Sequence, residues 1–257
     1  ITEPIASKKR RKQKASHAGS QSQKILNSTG STKYHNYNDN TDAFPTTERV
    51  YMHIKVWELY LDLEESFGTL ELVRSAYDRV MELNIVTPIM ILNYTNILES
   101  HHYYEDAFKI YERSLSLFGY PHVKSIWLVY LDKFMARYQG KKLERLRDLY
   151  EQALASSPPV NDRVEYYLLY SKAEEKFGLP RHSLAVLDRA TKDPLITEDI
   201  LKLNLYKIFI YKTELFYGAT KTRVIYERAL QELNDDSTCE VCIEFAAMET
   251  KLGEIDR

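Results

Sequence analysis

A chain of 257 residues with 44% apolar content is long enough for one or two domains with a sizeable core, and a net charge of −2 gives no global electrostatic reason for nucleic acid or a membrane to be the main partner. Two cysteines argue against a disulfide framework and suit a reducing compartment. No run approaches the roughly 18 apolar residues of a membrane helix, and the first residues lack the apolar centre of a signal peptide.

The chain starts at Ile1 rather than Met and stops at Arg257 inside a repeat, as a fragment of a longer protein would. Residues 1–48 read as disordered, because Ser, Thr, Asn, Gln and Lys dominate and large apolar residues are few. This segment carries eight basic residues against four acidic ones, and it either adjoins residue 49 in the parent chain or comes from a non-adjacent part of it. Lys8, Lys9, Arg10, Arg11, Lys12 and Lys14 place six basic side chains in seven positions. That density suits a nuclear import signal or contact with phosphates, set against a solvated tail with no reader.

After Phe44-Pro45 the composition changes, with Thr46 or Thr47 placed to cap a helix starting near Glu48. From there the sequence repeats. Trp57, Tyr60, Glu64, Phe67 and Gly68 form a grid that returns as Tyr167, Tyr170, Glu174, Phe177 and Gly178, and as Cys242, Phe245, Glu249, Leu252 and Gly253. Ile91, Tyr94 and Leu98 fill the apolar positions of another copy; Trp127, Tyr130 and Phe134 open a further one; Ile210, Glu214, Tyr217 and Gly218 complete a sixth. Spacings of three and four put such side chains on one stripe of an α-helix, the helix A of each repeat.

A second motif succeeds each grid: Tyr77-Asp78-Arg79, Tyr111-Glu112-Arg113, Tyr150-Glu151-Gln152, Leu187-Asp188-Arg189 and Tyr226-Glu227-Arg228. It predicts a helix B with an aromatic knob before an acid–base pair, at intervals of 34, 39, 37 and 39 residues. Gly68, Gly140, Gly178, Gly218 and Gly253 all fall at the end of helix A, where a residue at positive φ is expected. One hairpin of this kind cannot cover its own apolar stripe, so each pair must bury it against the next. The expected fold is all-α: a right-handed α-solenoid of antiparallel helix pairs over residues 49–257, with about five full repeats and a truncated sixth. Trp57 and Trp127 should wedge between helices A and B, where removal costs about 3–5 kcal/mol.

The drifting period and the aromatic–x2–aromatic–x3–Glu grid separate this array from the tetratricopeptide repeat, whose period is about 34. Trp57-x2-Tyr60-x3-Glu64 and Tyr226-Glu227-Arg228-Ala229-Leu230 resemble the two halves of the HAT (half-a-tetratricopeptide) repeat of RNA-processing proteins. Three stretches are similar to the Syf-type splicing factors (the XPA-binding protein family): Trp57 to Ser66, Lys142 to Leu154 and Met248 to Arg257. Crooked-neck-type proteins share the grid. The resemblance implies a nuclear, non-catalytic scaffold of the NineTeen complex that holds several splicing proteins in a large ribonucleoprotein assembly, with RNA contact at most peripheral. A HAT scaffold of 3′-end processing or rRNA maturation, or a tetratricopeptide-like adaptor, are the alternatives.

Residue chemistry supplies no competing enzyme reading. Cys239-Glu240-Val241-Cys242 lacks the partners of a four-ligand zinc site, and Cys242 stands at a helix A anchor position, so a core role is expected. His101, His102 and His122 form no HExxH arrangement and read as surface or inter-helix residues. Glu64-Glu65 and Glu174-Glu175 recur at one repeat position, as structural carboxylates paired with arginine or capping backbone would. No phosphate loop or nucleophile elbow is present, and no cofactor, metal ligand or small-molecule substrate is expected. Lys141, Lys142, Arg145 and Arg147 form a smaller basic patch that reads as a solvated face.

Overall fold

In a computed structural model of the chain, residues 50–253 are described. The expected segment 1–48, its import or RNA-contact cluster and the cap at Thr46 or Thr47 therefore lie outside the described residues. Eleven α-helices and a single 3-10 turn make up the described residues, with no strand among them. In chain order they are α1 (Ile54–Phe67), α2 (Leu70–Glu82), α3 (Pro88–Ser100), α4 (Tyr104–Leu115), α5 (Val123–Tyr138), α6 (Leu143–Ala155), α7 (Val160–Phe177), α8 (Pro180–Thr191), α9 (Asp199–Tyr217), the turn Ala219–Lys221, α10 (Arg223–Glu232) and α11 (Asp235–Leu252). The odd-numbered helices are the A helices and the even-numbered ones the B helices. Short links make each consecutive pair antiparallel. None of these helices is long and apolar enough to cross a membrane.

Local chemistry sets the ends. Thr87 accepts a hydrogen bond from the Met90 N–H through Oγ1, and Pro88 occupies the first turn of α3 without wasting a donor. Pro180 does the same for α8. Glu105 and Asp106 open α4 and Arg113 closes it; Asp235 and Asp236 open α11 and Lys251 closes it, each complementing the helix dipole.

Two compact units divide inside α5, after Ile126. In the first, Trp57, Leu61, Val73, Ala76 and Tyr77 of α1 and α2 share one core with Ile91, Tyr94, Leu98 and Ala107 of α3 and α4. In the second, Leu184 and Leu187 of α8 share a core with Tyr206, Phe209 and Ile210 of α9, Tyr226 and Ala229 of α10, and Val241 and Met248 of α11. Alanines at Ala76, Ala107, Ala153 and Ala229 are all buried, which lets backbones approach closely.

The structure corrects four expectations. The helix A glycines do not share one reason. Gly140, Gly218 and Gly253 have φ of 85°, 87° and 78°, but Gly68 and Gly178 have φ of −81° and −107°. At the latter two, the helix's own glutamate folds back over the glycine. A Cβ at Gly178 would lie 2.2 Å from a Glu174 carboxylate oxygen, and one at Gly68 2.5 Å from Glu64. The need is for space, not for left-handed backbone.

The α9 grid is shifted by one residue. Tyr206, Phe209 and Thr213 are buried, and Ile210 is buried beside them, while Glu214 is exposed and Tyr217 half-exposed. Tyr206-x2-Phe209-x3-Thr213 is thus the true copy, with Thr replacing Glu and Gly218 one residue late. Cys242 is solvent-exposed, as is Cys239, because no described helix packs over that side of α11; Val241 is the buried neighbour. Phe67 is 87% exposed, whereas its counterpart Phe177 lies against Gly140.

Candidate functional site

Two side chains one turn apart on a helix can meet two others one turn apart on the helix it packs against. That geometry joins successive repeats. Tyr77 of α2 stacks on Tyr94 of α3, with ring centroids 4.5 Å apart and planes 3° from parallel. Tyr150 of α6 stacks on Tyr170 of α7 at 4.9 Å and 3°, and Tyr226 of α10 on Phe245 of α11 at 5.0 Å and 17°. Each stack joins the helix B aromatic to the second aromatic of the next helix A. Such pairs contribute about 0.5–1.5 kcal/mol beyond the area they bury. Burial lifts the Tyr94 hydroxyl to a pKa of about 12, and that of Tyr150 higher still.

One turn before the helix B tyrosine stands an arginine, and one turn after the helix A aromatic stands a glutamate. Arg147 donates from Nε and a terminal nitrogen to the two oxygens of Glu174, at 2.6 and 2.9 Å. Arg223 holds Glu249 in the same way, at 2.7 and 2.8 Å. The Glu174 side chain is 1% exposed. Hydrogen bonding to Glu174 pushes the Arg147 guanidinium above its already high pKa. A carboxylate with both oxygens engaged by a fork of N–H donors is fixed in place and occupied.

The motif has two variants. Leu98 stands in α3 where α7 has Glu174, and Arg74 instead reaches Asp106 of α4 at 3.0 Å and lies 4.4 Å over the Tyr103 ring. Between α8 and α9 the junction is apolar: Leu184 and Leu187 face a helix bearing Phe209 and Thr213, whose hydroxyl donates to its own Phe209 carbonyl at 2.8 Å.

The acid–base pair after the knob also acts between repeats. Arg113 meets Asp78 at 3.7 Å, Arg189 meets Glu151 at 2.8 Å and Arg228 meets Asp188 at 2.6 Å, so each arginine reaches the acid of the preceding helix B. The Arg189 guanidinium lies over Tyr167 and Tyr170, and that of Arg228 over Tyr206 and Phe209. This parallel supports the shifted register in α9. The link from α8 to α9 is tied by Asp193. It accepts from Arg163 at 2.6 Å, from the Tyr167 hydroxyl at 2.9 Å and from the Leu195 N–H at 3.0 Å. Burial pushes the Asp193 carboxyl up, but these donors outweigh it and hold its pKa below the ordinary value.

Trp57, a further sequence candidate, is buried, donates from its indole N–H to the Tyr51 carbonyl at 2.6 Å and meets Tyr60 edge-on. Trp127 and Tyr130 are buried and stacked, and Tyr111 is fully enclosed. Tyr60, Glu64 and Phe245 are half-buried. Glu65 accepts from the Tyr77 hydroxyl, and Glu175 pairs with Lys212 at 2.8 Å. His101, His102 and His122 are exposed. Of the four residues of the basic patch, Lys141, Lys142 and Arg145 are exposed and Lys142 lies over Tyr138, but Arg147 is committed to Glu174. Among the described residues no group of three or more His, Cys, Asp or Glu side chains is arranged to hold a metal ion.

Sequence reasoning placed Arg147 on a solvated face instead of against Glu174, and missed Arg223, Arg163, Asp193, Tyr206 and Phe209. For Arg147 and Arg223 a signal existed, since Arg74, Arg147 and Arg223 each precede a helix B tyrosine by three residues.

Comparison with known proteins adds a second line of observation. The family model described as "Pre-mRNA-splicing factor Syf1/CRNKL1 C-terminal HAT repeat" matches residues 7–257. The chain is 48% identical over 213 residues to pre-mRNA-splicing factor SYF1 of Homo sapiens, covering 83% of this chain and 24% of that protein. It is 49% identical over 209 residues to pre-mRNA-splicing factor cwf3 of Schizosaccharomyces pombe, covering 81% and 26%. To the pre-mRNA-splicing factor syf1 homolog of Drosophila melanogaster it is 46% identical over 221 residues, covering 86% and 24%. The chain thus spans about a quarter of the length of the curated relatives it matches.

Proposed function

The chain belongs to the Syf1/CRNKL1 family of HAT-repeat pre-mRNA-splicing factors, and from that premise we propose that it serves as a non-catalytic scaffold in pre-mRNA splicing. It works in the nucleus, within the spliceosome, by holding several protein partners at fixed separations. The observation that carries this reading is the family match over 7–257 together with relatives near 48% identity that bear splicing-factor names. The junction chemistry supports the non-catalytic part. Of the paired carboxylates Glu64-Glu65 and Glu174-Glu175, Glu174 has both oxygens bound by arginine, Glu65 accepts from Tyr77 and Glu175 pairs with Lys212. Residues 49–257 form the repeat array of this scaffold, and residues 1–48 supply a basic extension. In that extension Lys8, Lys9, Arg10, Arg11, Lys12 and Lys14 act as a nuclear import signal, with RNA touched only at the periphery.

Affinity purification of the tagged full-length protein from nuclear extract, with and without nuclease, tests the pathway. Nuclease-resistant recovery of splicing proteins is the expected result. Recovery of cleavage-factor, ribosome-maturation or chaperone proteins instead would overturn the pathway while leaving the fold intact. Alanine replacement of the six basic residues should move the protein toward the cytoplasm; an unchanged nuclear location would overturn the import role.

A further inference from the structure

Single exposed apolar residues are ordinary, but a contiguous stripe of them along a helix is not. Helix α9 carries a short one over its last two turns. Ile200, Tyr211 and Leu215 are 73%, 65% and 61% exposed, and Ile208 is partly exposed between them. Ile208, Tyr211 and Leu215 lie one turn apart on one face and span about 10 Å at helical rise, while Ile200 lies on the same face beyond the exposed Asn204. The same repeat positions are mostly polar in the two neighbouring A helices. Counting from Tyr167, α7 presents Asn161, Lys172 and Lys176 there, with Leu169 partly buried; counting from Cys242, α11 presents Asp236, Glu244, Ala247 and Lys251. A helix A therefore does not need an apolar outer face to build the array.

The three helices lie side by side within one unit. Lys212 of α9 bonds Glu175 of α7 at 2.8 Å, and Lys207 of α9 bonds Glu240 and Glu244 of α11 at 2.5 and 3.5 Å. The apolar stripe thus runs between a flank with exposed Lys172 and Lys176 and a flank with exposed Asp236, beside which Glu240 is already paired with Lys207. A nucleic acid or an anionic membrane would be repelled by the second flank. A helix with a stripe at i, i+3, i+4 and i+7 fits the apolar face, and opposite charges on its two edges fit the flanks.

Resting on the scaffold reading, we propose that the outer face of α9 docks an amphipathic α-helix of a partner protein, with its acidic edge over Lys172 and Lys176 and its basic edge over Asp236. The occupant is a helix of a different chain. Tyr211, large and amphipathic at the centre of the stripe, is its anchor.

The test places the photo-crosslinking residue p-benzoylphenylalanine at position 211 of the tagged full-length protein in nuclear extract, and maps the adduct by mass spectrometry. The expected adduct is one protein segment with an amphipathic helical pattern and oppositely charged edges. A synthetic peptide of that segment should lose about tenfold or more in affinity for Y211S/L215S and for K172E/K176E. Changing the peptide's acids to lysine should restore binding to K172E/K176E. Unchanged melting of these surface variants shows that they fold. An adduct with RNA or with a second copy of the chain overturns the proposal, as does the absence of any protein adduct while splicing proteins still co-purify. Formation of the expected adduct without recovery of splicing proteins supports the docking face and overturns only the pathway.

Discussion

The junction of the first two repeats and that of the third and fourth use the same stacked tyrosines but opposite electrostatics. Tyr77–Tyr94 and Tyr150–Tyr170 share ring planes 3° from parallel. Around the second, Arg147 meets a carboxylate buried at the helix interface; around the first, Leu98 removes that carboxylate and Arg74 pairs with a half-exposed Asp106 in another helix. The ring stack is the shared part of the junction, and the ion pair is a replaceable addition. Ionic energetics differ accordingly. Breaking a buried pair leaves an uncompensated charge at a cost of about 3–5 kcal/mol, whereas an exposed pair contributes about 0–1 kcal/mol.

The largest expected effect tests that contrast directly. Glu174→Ala should destabilise the helices around α6 and α7 by up to about 3–5 kcal/mol, the partly exposed Arg147 keeping only Glu144, and Asp106→Ala by less than about 1 kcal/mol. Hydrogen exchange resolves the two regions separately, which a single melting temperature for two units would not. Comparable losses at both sites would break the comparison. The double variant R147L/E174L sharpens it, because it installs the apolar solution already present between α8 and α9. It should recover most of the loss from Glu174→Ala.

The ring stack can be questioned in the same manner. Leu187 occupies the knob position of α8 and is fully buried without a stacked tyrosine. Tyr150→Leu should therefore be tolerated at about 1–2 kcal/mol, while Tyr150→Ala should cost about 3–5 kcal/mol through the cavity it leaves. Equal losses for the two substitutions, read by the same exchange measurement, would mean that ring geometry rather than filled volume holds the junction.

Acid should separate the two regions as well. In the second unit, Asp193 and Asp188 both titrate below the usual carboxylate range. Burial opposes this at each, but Arg163, the Leu195 N–H and Tyr167 hold Asp193 down, and Lys192 and Arg228 hold Asp188 down. A carboxyl whose folded pKa is depressed contributes stability above its unfolded value, near 3.9, and loses it as pH falls through the folded value. In the first unit the hydrogen bond from Lys109 lowers Asp106, but burial raises Asp78 against the pull of Arg113. Protonating Asp78 favours the folded state, so the two partly cancel. Between pH 5 and 2 the second unit should lose exchange protection first; simultaneous loss would contradict the assignment.

How much of this could be read in advance depends on the range of the interaction. The helix pairs, their number and the buried knobs Tyr77, Tyr111, Tyr150, Leu187 and Tyr226 follow from spacings within single helices. What each knob touches does not, because Tyr150 finds Tyr170 only after two helices pack. The acid–base pairs were visible as local dipeptides, yet their partners lie about 35–40 residues away, as a solenoid of this period requires. Gly68 and Gly178 misled for a related reason. A glycine at a helix end suggests positive φ, but at these two a glutamate side chain from the same turn takes the space. Cys242 misled because a repeat position predicts burial only where the next helix covers it. The stripe on α9 was hidden by a register shift of one residue, since Ile210 and Glu214 mimicked the positions that Phe209 and Thr213 supply.

The smallest predicted effect concerns the helix ends that lack glycine. His102 comes just after α3, where other A helices end near glycine, and it sits at φ 66°. Left-handed backbone costs a residue with a Cβ about 1–2 kcal/mol, of which glycine's extra unfolded entropy gives back about 0.5–1 kcal/mol. Its side chain is exposed and has only a long contact with the Tyr104 hydroxyl, at 3.4 Å. His102→Gly should therefore stabilise the first unit by about 0.5–1 kcal/mol. The reverse experiment is Gly140→Ala, where φ is 85° and the added methyl would meet the Phe177 ring at 2.9 Å. It should lose more than His102→Gly gains, because strain and steric overlap add at one site. A loss on introducing glycine at 102 would show that the His102 side chain, rather than its backbone, sets the geometry between α3 and α4.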